Sequence, residues 1–427
     1  MKNPFTLHTP PSFQHYDCRM CGACCRAGFA VFVTDEERER IQGQGWEDDP
    51  EFPYRDRKLF IRQLDGSYIL NQGDDGACIF LNEQNSCRIH ARYGEPAKPF
   101  ACRPYPFVIF PTGRELRTSL RFDCPAVCEN EGRPLPEHLP GIETLAELSI
   151  PHEALQLSPP PFRQGIALNW AELSRVAEAY EHILATDSLD LTRRVLACAD
   201  LTGLLAGARI DDLNGRRLDT FVSVLVENRI RCLAQDPLER RKPRGMLPVM
   251  FRQALGLYGR LDRTADMHVS LTGKAARLLQ RLTYSLRLVS GAGSMPRVRP
   301  DLPRVSFRRL EQAFGIPDAE AAAVLTRYYR VKLNSLGFCG RAFYDWGFLD
   351  GMGALLLTYP LILWYARLFA AGEGKTSLVA AVIRHAVRVV DRARGITISL
   401  NMPTERVRQR FLSDHENLSR LILWYGT

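Results

Sequence analysis

The chain has 427 residues, of which 45% are hydrophobic and 24% are charged. This balance is typical of a globular protein with a buried core, and it excludes a mostly disordered chain, a collagen-like chain and a small disulfide knot. At about 150 residues per domain, the length predicts two or three domains. The formal net charge is +8. The arginines are scattered between helical segments, so we interpret the charge as a solvated surface and do not expect nucleic acid as a partner.

The first 135 residues combine turns with short apolar runs typical of strands. Each run is bounded by Gly, Pro, Asp or Asn: residues 31–33, 59–61, 68–70, 78–81 and 107–110. Between the runs, Thr34 and Glu37 form a capping box, which predicts a helix that ends at about Gln42. A region with so little regular structure buries little apolar surface. We therefore expect metal cross-links to stabilise it.

Prolines punctuate residues 136–161, and helical periodicity begins after them. Leu173, Val176, Ala177 and Tyr180, for example, follow the i, i+3, i+4, i+7 spacing of one apolar helix face. The sequence thus predicts an α+β protein. A small, irregular, metal-stabilised, cysteine-rich N-terminal domain occupies residues 1–135, a proline-rich linker residues 136–161, and a large all-helical domain residues 162–427.

No signal peptide is visible at the N-terminus. The most apolar stretch, residues 353–366, is shorter than the roughly 18 residues of a membrane span and contains Pro360, so it predicts a buried helix and no membrane span. We expect a cytoplasmic location. In that reducing compartment, clustered thiols bind metals more often than they form disulfides.

Nine of the 12 cysteines lie in the first 128 residues. Four of them form a C-x2-C-x2-C-C run, a spacing that zinc knuckles and iron–sulfur proteins both use. Cys124 precedes Pro125, as the last cysteine does in bacterial ferredoxin runs. The predicted metal ligands are Cys18, Cys21, Cys24, Cys25, Cys78, Cys87, Cys102 and Cys124.

Spacing leaves open whether these thiols build two four-thiolate centres or one centre with additional structural thiols. It also leaves open whether Cys128 substitutes for one of them. His90 is either a ligand or a hydrogen-bonding neighbour of the centre. Arg88 and Arg103 flank cysteines, and they either donate to thiolates or lie at the surface.

The segment from about Phe13 to Cys128 resembles the YkgJ-like CxxCxxCC cysteine-cluster family of zinc- or iron-chelating domains. Three further motifs carry the resemblance besides the cysteine run: Cys78-Ile79-Phe80-Leu81, Cys87-Arg88-Ile89-His90 and Cys102-Arg103-Pro104-Tyr105-Pro106-Phe107. The family includes flagellin lysine N-methylases, which join such a region to a long helical remainder. The resemblance implies an iron–sulfur cluster of the [4Fe–4S] type, with zinc or iron as alternatives. It further implies methyl transfer from S-adenosylmethionine to a protein lysine, with flagellin as an example of a substrate.

No catalytic residue can be assigned from the sequence. It contains no recognisable Ser–His–Asp or paired-carboxylate arrangement. It also lacks the strand, glycine-rich loop and helix with which doubly wound methyltransferases hold their cofactor. Two hypotheses remain: a protein-modifying enzyme with a metal cluster, and a zinc- or iron-stabilised binding module without catalytic activity.

Overall fold

The structure is a computed structural model that describes residues 5–63, 65–151, 154, 156–210, 212–261 and 271–427, with backbone alone for residues 271–277. The chain divides into two compact units. The cysteine unit consists of Asp17–Val108 and Leu261–Arg281. The helical unit consists of the chain up to Tyr16, Ile109–Arg260 and Leu282–Thr427. This partition differs from the predicted division into residues 1–135, 136–161 and 162–427, which stays a prediction.

The described part of the chain contains short strands in its first third and helices throughout. The strands are β1 (Thr6–Leu7), β2 (His15–Tyr16), β3 (Phe32–Val33), β4 (Phe60–Arg62), β5 (Tyr68–Leu70), β6 (Phe107–Thr112), β7 (Glu115–Leu120) and β8 (Arg133–Pro134). The helices are α1 (Asp35–Gln42), α2 (Arg88–Tyr93), α3 (Pro125–Glu129), α4 (Leu139–Ser149), α5 (Trp170–Ala185), α6 (Leu191–Gly207), α7 (Gly215–Gln235), α8 (Leu247–Tyr258), α9 (Leu271–Ser290), α10 (Phe307–Leu310), α11 (Ala319–Asn334), α12 (Phe348–Gly372), α13 (Ala380–Ala393), α14 (Pro403–Ser413) and α15 (His415–Tyr425). The α+β class is confirmed.

The cysteine unit has a three-stranded antiparallel sheet in the order β3-β5-β4. Its core is aromatic. The ring of Phe80 lies 5.4 Å from that of Trp46 and stacks on that of Phe52 at 5.7 Å. All three side chains are almost fully buried. This core anchors the segment that follows Cys78.

The capping box is confirmed at the start of α1. The Glu37 N–H donates to the Thr34 hydroxyl, and the Glu37 carboxylate accepts from the Thr34 N–H. Strands occur near four of the five predicted runs. Residues 78–81 form no strand and instead make isolated bridges, Gln72 with Cys78 and Leu81 with Cys87. The chain turns here so that Phe80 enters the core while Cys78 stays half-buried, and it does not continue as a ladder.

The helical unit is built around α12, whose residues from Phe348 to Ala370 are all buried except Asp350. By length and composition, α12 is the one helix among the described residues that is apolar enough to span a membrane, and 94% of its most apolar window is buried inside the protein. The expected buried helix is therefore present. From residue 162 onward, the described regular elements are helices.

The helical unit also contains small sheets. Strand β1 pairs parallel with β7, which also pairs with β6, and β2 pairs antiparallel with β8. The predicted linker contains α4, because Ile142 and Ala146 lie one turn apart and are both fully buried. Ala146 packs in a cluster with Leu116 of β7.

Candidate metal centre

The C-x2-C-x2-C-C run lies in an irregular loop of the cysteine unit. Cys18, Cys21 and Cys24 are exposed, and Cys25 is half-buried. Gly22 adopts a φ of +68°, and a Cβ there would lie 2.7 Å from the Arg26 guanidinium. Because only glycine adopts this conformation readily, Gly22 allows the tight turn that keeps the cysteines on one loop.

Backbone pairing brings Cys78 and Cys87 to this loop. The Cys78 N–H donates to the Cys25 carbonyl at 2.9 Å. The chain then turns back, and the Arg88 N–H donates to the Phe80 carbonyl at 2.8 Å. Since Phe80 is fixed in the aromatic core, the hydrogen bonds on either side of it hold both cysteines in register.

Cys102 ends a short 3-10 turn that α1 holds in place. The Phe100 N–H donates to Glu37 Oε1 at 2.6 Å. Glu37 thus caps the start of α1 with one oxygen and binds the Cys102 turn with the other. A local helix-start signal in the sequence therefore also positions a predicted ligand.

Five of the cysteines interact electrostatically with one another: Cys24, Cys25, Cys78, Cys87 and Cys102. A hydrogen bond from the Cys25 thiol lowers the pKa of Cys24 to about 6, and the same bond raises the pKa of Cys25. Burial raises the pKa of Cys78, and burial raises the pKa of Cys102 to about 12. Without a bound cation, few of these five thiols therefore carry a negative charge.

Hydrogen-bond donors and one cation favour thiolates in this cluster. The backbone N–H of Phe80 opposes the rise in the pKa of Cys78, and the backbone N–H of Cys25 helps to lower the pKa of Cys24. The Lys98 ammonium favours the ionised forms of Cys24 and Cys102. Backbone donors to sulfur and nearby charges of this kind also stabilise metal-bound thiolates.

Lys98 was not among the predicted site residues, although it lies only four residues before the predicted ligand Cys102. Of the two arginines that flank cysteines, Arg103 pairs with Glu95 at 3.0 Å rather than with a thiolate. His90 lies on α2, half-buried.

The cluster brings the thiols near one another without closing a coordination shell. Within the described residues, no three His, Cys, Asp or Glu side chains meet the geometry of a metal site. The donor chemistry nevertheless fits a thiophilic metal, because sulfur ligands select zinc, copper(I) and iron–sulfur clusters. Cys18 and Cys21 lie on the same loop as Cys24 and extend the donor set to seven cysteines within one unit.

The eighth predicted ligand, Cys124, belongs to the helical unit, where it is the N-cap residue of α3 and is buried. Cys128 lies one turn further on, fully buried. Its thiol donates to the Arg384 carbonyl at 3.6 Å, and burial raises its pKa to about 12. Whether Cys124 binds metal stays a prediction.

Comparison with known proteins gives one match. The family model CxxCxxCC, described as "Putative zinc- or iron-chelating domain", matches residues 17–129. No curated protein and no solved structure matches the chain significantly. The matched segment contains all eight predicted ligand cysteines and includes Cys128 as well. Residues 17–129 are therefore similar to the CxxCxxCC family of zinc- or iron-chelating domains, and this matched segment includes the first residues of the helical unit, from Ile109 on.

Proposed function

We propose that the cysteine unit holds an iron–sulfur cluster of the [4Fe–4S] type on cysteine thiolates. The observation that carries this proposal is the group of five interacting thiols, with N–H donors on two of the sulfurs and Lys98 beside two of them. A closed zinc site and a [4Fe–4S] cluster each need four ligands, and the seven cysteines of the unit satisfy that number for either centre. The C-x2-C-x2-C run is also the spacing of bacterial ferredoxins.

The chain's own residues prepare this centre in three ways. The loop around Gly22 leaves Cys18, Cys21 and Cys24 exposed, where a metal can enter. The N–H groups of Cys25 and Phe80 stabilise negative charge on sulfur. The raised pKa of the Cys78 thiol means that metal binding there must displace a proton. When bound, an iron–sulfur cluster supplies one-electron chemistry.

The test is anaerobic purification followed by iron and sulfide analysis and a visible absorption spectrum. A [4Fe–4S] protein carries about four irons and four acid-labile sulfides per chain and is brown, whereas a zinc protein is colourless. Cys24→Ser and Cys78→Ser should each lower the iron content. The matched control is Cys232→Ser, because Cys232 lies on α7 and its thiol contacts Asn228.

A colourless protein with stoichiometric zinc would contradict the cluster and favour the second candidate, a zinc- or iron-stabilised binding module. One observation favours that candidate. The apolar core of the cysteine unit is small, a group of ten buried side chains around Trp46 and Phe80. A metal cross-link therefore adds stability that the core alone supplies poorly. In this case reductants should leave the zinc content unchanged and produce no change in the visible spectrum.

Protein-lysine methyl transfer extends the first candidate. The chain joins a cysteine unit to a large helical unit, and this layout supports the proposal because it resembles that of the flagellin lysine N-methylases. Calorimetry of the metal-loaded chain with S-adenosylmethionine tests it first, and transfer of a labelled methyl group to flagellin tests it second. Absence of cofactor binding in a protein with full metal content would refute the methylase hypothesis and leave the metal centre intact.

A further inference from the structure

In the helical unit, positive charge gathers where α3, α11 and α13 pack together. Three carboxylates of this region are each matched by a basic side chain. The pairs are Lys332 with Asp391 at 2.9 Å, Arg121 with Asp123 at 2.9 Å, and Arg384 with Glu320 at 2.8 Å. The two inner pairs are buried, whereas the Glu320 side chain is 69% exposed. The third pair therefore opens readily to solvent.

Two further arginines in the same region have backbone partners instead of carboxylates. The Arg327 guanidinium donates to the Cys128 carbonyl at 2.9 Å, and Arg388 Nε donates to the Asp123 carbonyl at 3.4 Å. Within the part of the chain that the structure describes, neither has a carboxylate within ion-pair distance. Arg327 Nε is also buried without a hydrogen-bond partner. Two half-buried guanidinium groups thus lack a carboxylate in ion-pair contact, although Glu320 acts on Arg327 from a longer distance.

Arg327, Arg384 and Arg388 all act electrostatically on the buried sulfur of Cys128, and the Asp391 carboxylate acts on it with the opposite sign. Arg384 and Arg388 are one turn apart on α13, so their side chains lie on the same face. Arg327 reaches this face from α11, and burial together with the charge of Arg384 lowers its pKa. Glu320 pairs with Arg384 and also acts on Arg327, so one exposed carboxylate faces three guanidinium charges, an arrangement that favours a bound anion.

We propose that Arg327, Arg384 and Arg388 form a binding site for a tetrahedral dianion, a phosphate group. A guanidinium donates through two parallel N–H groups to phosphate or carboxylate oxygens. A carboxylate accepts from one guanidinium in this way, whereas a phosphate has enough oxygens to accept from guanidinium groups on two helices at once. The Arg327 and Arg388 charges, which have no carboxylate in ion-pair contact, match a dianion, and exposed Glu320 is the group that the ligand displaces from Arg384. The three arginines are not among the eight predicted metal ligands, although one of them binds the carbonyl of Asp123, next to Cys124.

The test is calorimetry and thermal unfolding of the full chain with inorganic phosphate, sulfate, acetate and chloride at equal ionic strength. Phosphate and sulfate should raise the melting temperature, and acetate and chloride should not. Arg388→Gln should weaken phosphate binding by about tenfold or more, the effect of losing a charged hydrogen bond. The matched control is Arg410→Gln, because Arg410 lies in an exposed pair with Asp350 and should leave the phosphate affinity unchanged.

Glycerol 3-phosphate is compared with inorganic phosphate, because the group belongs either to free phosphate or to a phosphate ester. Binding of either supports the site, and the tighter of the two identifies the source. Arg384→Gln is a second variant in case Arg388→Gln does not fold, since Arg384 is half-buried and one of its partners is exposed. Equal effects of phosphate and chloride, or of phosphate and acetate, would overturn the proposal. So would unchanged phosphate affinity in a folded variant of either arginine.

Discussion

The buried ion pair of Lys332 and Asp391 makes a sharp prediction about the stability of the helical unit. The pair has an N–O distance of 2.9 Å, and both side chains are more than nine-tenths buried. Lys332 also donates to the Leu120 carbonyl at 2.8 Å, and Asp391 accepts from the Phe122 N–H at 2.6 Å. The pair therefore ties α11 and α13 to the segment that follows β7.

Replacing Asp391 with Asn keeps the shape of the side chain and removes its charge. The Lys332 ammonium then stays buried without its counter-charge. Burial already lowers the pKa of Lys332, and the like charge of Arg394 lowers it further. Breaking a buried pair in this way costs about 3–5 kcal/mol of unfolding free energy. The control, Asp350→Asn, breaks an exposed pair with Arg410 and should cost about 0–1 kcal/mol.

Urea unfolding followed by far-UV circular dichroism measures both variants. We expect a much lower midpoint for Asp391→Asn and almost no change for Asp350→Asn. Burial raises the pKa of Asp391, but the Lys332 and Arg121 charges outweigh it and lower the pKa overall. The stabilisation is therefore present at neutral pH and is lost as the pH falls through the folded-state pKa. Equal shifts in the two variants at neutral pH would refute the reasoning.

Three other outcomes are expected. Phe80→Ala should destabilise the cysteine unit by about 3–5 kcal/mol, because it removes a ring from the aromatic core. Phe32→Ala, at a position that is 54% exposed, should change the stability by less than about 0.5 kcal/mol. Limited proteolysis of the cysteine unit compares the two variants. The hydrogen bond to Asp200 raises the pKa of His415. The contribution of this bond to thermal stability should therefore be present at low pH and disappear as the pH rises through the pKa of His415. The same pH series on Asp200→Asn should show no such loss. Removing bound metal with a chelator should increase proteolysis of the cysteine unit while the helical circular dichroism signal persists, and equal loss of both would contradict a metal that is local to that unit.

Signals that act over a few residues were readable in the sequence. The Thr34–Glu37 capping box predicted the start of α1, because both of its hydrogen bonds join atoms three residues apart. The helical spacing of Leu173, Val176, Ala177 and Tyr180 likewise predicted a helix, which the structure contains as α5. The linker was predicted from its prolines. Its helix α4 went unnoticed because a proline at the start of a helix costs little.

The cysteine spacing indicated a metal-binding domain, and the family match at residues 17–129 agrees. The cysteine spacing did not predict which cysteines belong to the cysteine unit and which to the helical unit. Cys102 interacts with the first loop because Glu37 binds the turn that carries it. Cys124, by contrast, begins α3 in the helical unit. That difference depends on which distant segments pair, and no cysteine-to-cysteine interval contains this information.

The sequence by itself therefore determined the chemistry: soft sulfur donors in the first third of the chain and amphipathic helices in the rest. Tertiary structure alone decided which groups meet. Lys98 approaches Cys24, 74 positions earlier, and Arg327 and Arg388 converge on Cys128 from two helices. The physical reason is that helix periods and turn signals follow from local backbone geometry, whereas charge neighbourhoods depend on long-range packing of side chains from distant parts of the chain.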